Sequence, residues 1–268
     1  MIELFEKDII KTENKSSKGN QLKWRKGDYW YKADYTGYEG LSEVIASRML
    51  EKSSLSRDEY VYYYTEEIQY KSGTHRGCRS SNFLDNGQQL ITLERLYNNF
   101  CGKSLYRSIF SLENYEDRFA FLCSQVERIT GIKNFAGYMN KILTIDAITL
   151  NEDRHLHNIA VILNEDGKYE TCPIFDQGAG FLADTTMEYP MNQDVYSLID
   201  SVKSKTICDD FDEQLDISER LSGNRLDFHF TKKNLQEWLE EDDVVAMYDE
   251  QIRNRVYNIA VDRMRRYG

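Results

Sequence analysis

A two-part α+β chain is predicted, with a β-rich N-terminal lobe leading into a mainly helical C-terminal lobe. Three observations predict it. Aromatic and β-branched residues crowd residues 21–34 and 60–70, and the second stretch alternates between two faces. Beyond Leu90 the apolar residues recur at helical spacing instead. The length, 268 residues, is enough for two lobes that share a cleft.

The elements follow in order. Trp24, Tyr29, Trp30 and Tyr31 flank Gly27-Asp28, a hairpin turn signal. A polar loop, Asn14 to Asn20, precedes them and carries one glycine, Gly19. Leu41, Val44, Ile45, Met49 and Leu50 follow Gly40 at helical spacing. Val61, Tyr63 and Thr65 share one face of the next strand, and Tyr62 and Tyr64 the other. Another strand is predicted to approach Phe83-Leu84 and to end at Asp85-Asn86-Gly87. The lobes are therefore set at residues 1–88 and 89–268. Helices are predicted over residues 91–100, 114–130 and 132–150. A β-hairpin follows, with strands at 159–163 and 169–175 around the turn Asn164 to Gly167. The chain then reads as loop-rich to about residue 225, with closing helices at 232–239 and 244–266.

Composition narrows the function classes. The formal net charge is −11, which repels nucleic acid at long range. The acid-dense run Glu240, Glu241, Asp242, Asp243 reads as a solvated helix junction. Five cysteines without a C-x-x-C pair suggest neither a disulfide framework nor structural zinc. The first residues carry acid where a signal peptide carries base, and no stretch nears the ~20 apolar residues that span a bilayer. A cytoplasmic protein without a membrane span is expected. The 19 tyrosines are expected half-buried in strands, with wet hydroxyls.

The chemistry concentrates in Asn151-Glu152-Asp153-Arg154-His155-Leu156-His157-Asn158, and in Phe175-Asp176-Gln177-Gly178 beyond the hairpin. A hairpin brings its two outer ends together, so Asp153, Asn158 and Asp176 are expected at one place. Phosphoryl transfer needs a carboxylate to orient the attacking hydroxyl, which suits Asp153. It needs hard oxygen ligands for magnesium, which suits Asn158 and Asp176. Gly178 is expected to let the chain turn sharply past the ligand.

These loops resemble the catalytic and metal-binding loops of HipA-like protein kinases, above all the compact CtkA-like bacterial members. The Asp-Arg-His-x-x-Asn run and the following Asp-x-Gly also resemble the phosphatidylinositol kinase signature. The resemblance covers the two loops strongly, the N-terminal lobe moderately, and little beyond residue 195. It implies a two-lobed protein-kinase-like fold that uses ATP and Mg2+. It implies that Lys32, in Trp30-Tyr31-Lys32-Ala33-Asp34, grips the ATP phosphates. A helix carboxylate is then expected to pair with Lys32; Glu43 matches best and Glu39 is second. The loop Ser16 to Asn20, with Ser17 and Gly19 in it and Gln21-Leu22-Lys23 after it, resembles the phosphate-covering loop, where HipA carries an autophosphorylated serine; Ser16 or Ser17 is the candidate here. Adenine is expected near Phe83 and Leu84, and His155 is expected to fix the catalytic loop by a hydrogen bond. One departure stands out: many such kinases place a lysine soon after the catalytic Asp, whereas Arg154 and His157 occupy that stretch here and are the candidates to supply charge.

The reading is a kinase acting on a Ser, Thr or Tyr hydroxyl of a protein substrate, with an antitoxin-like partner as one biological setting. A lipid or small-molecule kinase has the same loops, and a catalytically weak kinase fold serving as a binding module is the alternative of another class.

Overall fold

The computed structural model describes residues 1–10 and 21–267. The loop holding Ser16, Ser17 and Gly19 lies outside the described residues. Five strands form the N-terminal sheet: β1 (Ile2–Leu4), β2 (Lys23–Lys26), β3 (Tyr29–Ala33), β4 (Tyr63–Tyr70) and β5 (Gly73–Ser81). Their order is β1-β4-β5-β3-β2, with β1 parallel to β4 and the other neighbours antiparallel. Gly27 makes the β2–β3 turn in the left-handed region, at φ 60°, where a side chain is disfavoured. Leu4, Trp24, Tyr31, Ala33, Ile68 and Tyr70 build a small core on one face of the sheet.

Helix α1 (Glu39–Glu51) lies against the other face, and all of it but Arg48 and Glu51 is buried. Its buried polar residues Glu39, Ser42, Glu43 and Ser47 are each hydrogen-bonded, which lets the helix sit in an interior. Val44 packs with Val61, Tyr63 and Cys78 of the sheet. Leu41, Ile45 and Met49 belong instead to the main core, with Phe135, Leu143 and Phe181 of the helical part.

A linker carrying Phe83 and Leu84 leads to a three-stranded sheet of β6 (Gln89–Thr92), β7 (Ala160–Leu163) and β8 (Tyr169–Thr171). The helices are α2 (Leu93–Cys101), α3 (Leu105–Phe110), α4 (Tyr115–Thr130), α5 (Phe135–Thr149), α6 (Val195–Ser201), α7 (Phe211–Ser222), α8 (Lys232–Leu239), α9 (Asp242–Met247) and α10 (Glu250–Tyr267).

Several expectations are corrected. Residues 91–92 are strand, because Thr92 is the N-cap of α2, its hydroxyl accepting from the Arg95 N–H. The second hairpin strand stops at Thr171, two residues before Pro173, which has no N–H for a ladder. The stretch read as loop before residue 225 contains α6 and α7, each capped by an aspartate, Asp194 and Asp210. The strand expected over residues 60–70 begins at Tyr63. Nor are all tyrosine hydroxyls wet: Tyr38 and Tyr248 are fully buried and donate to Phe181 O and Asp34 Oδ2. The acid run does sit at the junction of α8 and α9 with Glu240, Asp242 and Asp243 exposed; within it Glu241 accepts from Arg48 and Asp243 from the Thr65 hydroxyl. Among the described residues no helix is long and apolar enough to cross a membrane.

Candidate active site

Lys32 stands on β3 opposite Cys78 of β5 and Lys23 of β2, on the sheet face that meets α1. Its ammonium donates to Glu43 Oε1 at 2.5 Å and to Asp176 Oδ1 at 2.7 Å. The Tyr63 ring centroid lies 5.3 Å from the same nitrogen. Burial works against the lysine's charge, but Asp176 and Glu43 outweigh it and lift its pKa well above the ordinary value. Burial likewise pushes Asp176 up, and Lys32, Lys23 and Arg154 overcome it, holding the carboxyl well below the usual carboxylate range.

Glu43 also binds the segment that follows Asp176. Its Oε2 accepts the Gln177 N–H at 2.8 Å, while the Ser42 hydroxyl donates to Gln177 O at 2.5 Å. Further along, Thr36 O accepts the N–H groups of Thr185 and Thr186, both at 3.1 Å. α1 and residues 177–186 are thereby joined along their length. Glu39 does not reach Lys32. Its carboxylate accepts the N–H groups of Tyr35, Thr36 and Gly37 at 3.1, 2.7 and 3.2 Å.

The sharp turn falls on Asp176 itself, at φ 65°, and not on Gly178. A Cβ on Gly178 would meet its nearest atoms at 3.5 Å or more, an ordinary contact. A left-handed non-glycine residue is held only where its surroundings over-determine it, at a cost of about 1–3 kcal/mol. The surroundings here are the Lys32 ammonium on Oδ1 and the Asn151 amide, which donates to Asp176 O at 3.2 Å.

α5 delivers the second loop. It ends on Leu150 at φ 56°, and Asn151 then donates to Asp146 Oδ1 at 3.1 Å and Gln177 Oε1 at 3.0 Å. Arg154 is the loop's buried centre. Its guanidinium pairs with Asp146, Nε to Oδ2 at 3.0 Å, and donates to Asn158 O at 3.0 Å and Phe175 O at 2.8 Å. The expectation that Arg154 supplies charge to a phosphate is therefore corrected: its guanidinium is buried, with its donors taken by Asp146, Asn158 O and Phe175 O.

Asn158 Nδ2 donates to Asp153 O at 2.8 Å and Oδ2 at 3.4 Å, which directs the Asn158 carbonyl oxygen elsewhere. His155 Nε2 lies 3.7 Å from Asp153 Oδ1, and its backbone N–H donates to Asp153 O at 2.9 Å. Burial lowers the His155 pKa against the pull of Asp153. Its Nδ1 is buried without a hydrogen-bond partner, so the loop-fixing bond expected of His155 comes from its backbone N–H and not from the ring. His157 is exposed.

Asp153, Asn158 and Asp176 line one cleft, together with Gln21, Lys23, Tyr35 and Glu39. Tyr35 is a cleft residue that sequence reasoning missed, and Lys23, read there only as following the phosphate-covering loop, is set beside Lys32 by the β2–β3 register. Phe83 and Phe175 pack ring to ring, centroids 6.0 Å apart, between the sheet cluster at Val61 and Tyr63 and the cluster at Ala160, Ile162 and Cys172. Leu84 joins the second of these clusters. A magnesium ion takes oxygen donors and retains several waters, so one carboxylate and one amide oxygen suffice from the protein. Asp176, held ionised, and Asn158 fit that donor set.

A curled sheet, one helix crossing it, and a helical part carrying two loops beneath define the two-lobed kinase fold. The chain is similar in structure to the Helicobacter pylori proinflammatory kinase CtkA, with a TM-score of 0.66 and 15% identity over 99% of this chain and 95% of that one. HipA of Shewanella oneidensis MR-1, from its toxin–antitoxin complex with HipB and operator DNA, aligns at a TM-score of 0.42 and 13% identity, over 97% of this chain and 62% of that one. No family model and no curated protein sequence matches the chain.

Proposed function

We propose that this chain is an ATP- and Mg2+-dependent protein kinase that transfers the γ-phosphoryl group to a Ser, Thr or Tyr hydroxyl. The observation that carries the reading is the Lys32 ammonium held between Glu43 and Asp176, at a cleft whose lining includes Asp153 and Asn158. The lobes are residues 1–88, which hold the nucleotide phosphates, and 89–268, which hold the catalytic loops. Asp153 accepts the hydroxyl proton's hydrogen bond and aims the oxygen at phosphorus. Lys32 and Lys23 bind phosphate oxygens from the sheet side, and Lys23 provides the cation that Arg154 cannot. Asn158 and Asp176 hold the metal, which when bound neutralises charge on the phosphates. Adenine sits against Phe83 and Leu84. His155 fixes the loop around Asp153. The reading includes a cytoplasmic location, for which the acidic first residues and the unpaired cysteine pattern speak, and a protein partner that masks the cleft as an antitoxin would, which follows from the loop resemblance alone.

Transfer from labelled ATP to a panel of protein, lipid and small-molecule acceptors tests this. Asp153→Asn and Asp176→Ala should both abolish transfer, with the second also removing the Mg2+-dependent thermal shift given by ATP. Equal transfer by all three proteins would end the assignment.

A further inference from the structure

Residues 241–248 take no part in the transfer chemistry, yet they cross from the C-terminal helices to the N-terminal sheet. Glu241 accepts from Arg48 Nη1 near the C-terminal end of α1. Asp243 accepts from the Thr65 hydroxyl on β4. Arg76 of β5 donates to Met247 O at 3.3 Å and stacks on the Tyr248 ring at 5.2 Å. The Tyr248 hydroxyl donates to Asp34 Oδ2 at 3.0 Å, and Asp34 Oδ1 accepts the Gly40 N–H in the first turn of α1 at 2.6 Å.

The Arg48–Glu241 and Tyr248–Asp34 contacts are partly buried, which gives them weight that the exposed Thr65–Asp243 and Arg76–Met247 contacts lack. Tyr248 is 1% exposed and the Arg48 side chain 13%. Arg48 Nε is buried without a hydrogen-bond partner, so removing Glu241 would strand the guanidinium. The two tied positions, Gly40 and Arg48, bracket Glu43 on the same helix.

We propose that residues 241–248 form a clasp that fixes α1 against the sheet, and that Glu241 and Tyr248 are positioning residues acting through Glu43 on Lys32. The inference rests on the kinase reading for its effect on transfer; its effect on α1 is independent of that reading.

The test uses the full chain with Glu241→Arg, Arg48→Glu, the two combined, and Tyr248→Phe. Three readouts are taken: phosphate transfer over a range of ATP concentrations, hydrogen exchange of the α1 amides, and the urea midpoint. Each single variant should speed α1 exchange and lower the transfer rate at saturating ATP by about ten-fold, the change that ~1.4 kcal/mol produces. The reversed pair should recover most of both, since it restores the contact with charges exchanged. Single variants with wild-type α1 exchange, or a reversed pair no better than either single change, would overturn the clasp. A parallel fall in the urea midpoint that the reversed pair leaves uncorrected would reduce the contacts to general packing and also overturn it. If wild type transfers no phosphate to any acceptor, the kinase reading fails, while α1 exchange still decides whether the clasp exists.

Discussion

Replacing Asp34 with Asn should change how the stability of the protein depends on pH. The Asp34 side chain is 7% exposed. Burial, with Glu39 nearby, raises its carboxyl to about 7, against opposing pulls from the Gly40 N–H, the Tyr248 hydroxyl and Arg76. An Asp in an unfolded chain titrates near ~3.9. Between the two values the folded protein holds a proton that the unfolded chain has released, so stability falls as pH rises through that window. The contribution is complete below about pH 4 and lost above about pH 7. About three pH units separate the two values, worth ~4 kcal/mol at ~1.36 kcal/mol per unit. Asparagine is neutral throughout, keeps an oxygen for the Gly40 N–H, and offers an amide to the Tyr248 hydroxyl. Urea unfolding of wild type and Asp34→Asn from pH 5 to 8.5 spans roughly two of those units. The stability of wild type relative to the variant should decline by about 2–3 kcal/mol across the series. A difference that stays flat within ~0.5 kcal/mol would refute the account of Asp34 as a carboxyl forced to ionise out of water.

Other outcomes follow from the same geometry. Glu43→Gln weakens the grip on Lys32 and should lower the transfer rate at saturating ATP by about ten-fold or more, with a urea midpoint near that of wild type. Arg154→Met strands the buried Asp146 and should cost about 3–5 kcal/mol in urea unfolding, enough to melt the loop before any assay of transfer. Lys23→Met removes a cleft cation that helps hold Asp176 ionised, and should weaken ATP binding by about ten-fold in calorimetry while leaving the thermal midpoint of the free protein near that of wild type.

What the sequence discloses here is what a short stretch encodes by itself. Asp153, Asn158 and Asp176 are legible because the loop, the hairpin and the second loop are contiguous, and a hairpin joins its own ends. Lys32 and Glu43 come from neighbouring elements of one lobe, and it is the resemblance of the loops, with the strand lysine and helix carboxylate it implies, that nominates them. Lys23 is legible only as the tail of a loop, because its place beside Lys32 lies in a cross-strand register. The role of Arg154 was misread because Asp146, its partner, sits in the middle of a helix whose burial no local pattern announces. Gly178 was credited with a turn that belongs to Asp176, since composition favours glycine while the packed surroundings favoured the metal ligand's own backbone. The contacts of Glu241 and Asp243 join residues nearly two hundred positions apart, beyond the reach of any periodicity.

The placement of α1 constrains how the nucleotide can come and go. Its Leu41, Ile45 and Met49 are embedded with the helices below. On the sheet side Val44 joins the cluster of Val61, Tyr63 and Cys78, the Ser47 hydroxyl accepts the Tyr63 N–H at 3.2 Å, and Gly40 lies so close to Gly77 that a Cβ there would come within 2.8 Å of it. The helix is therefore gripped from both sides. When the cleft opens for exchange, α1 should travel with the five strands, so that Lys32 and Glu43 stay paired from one nucleotide to the next.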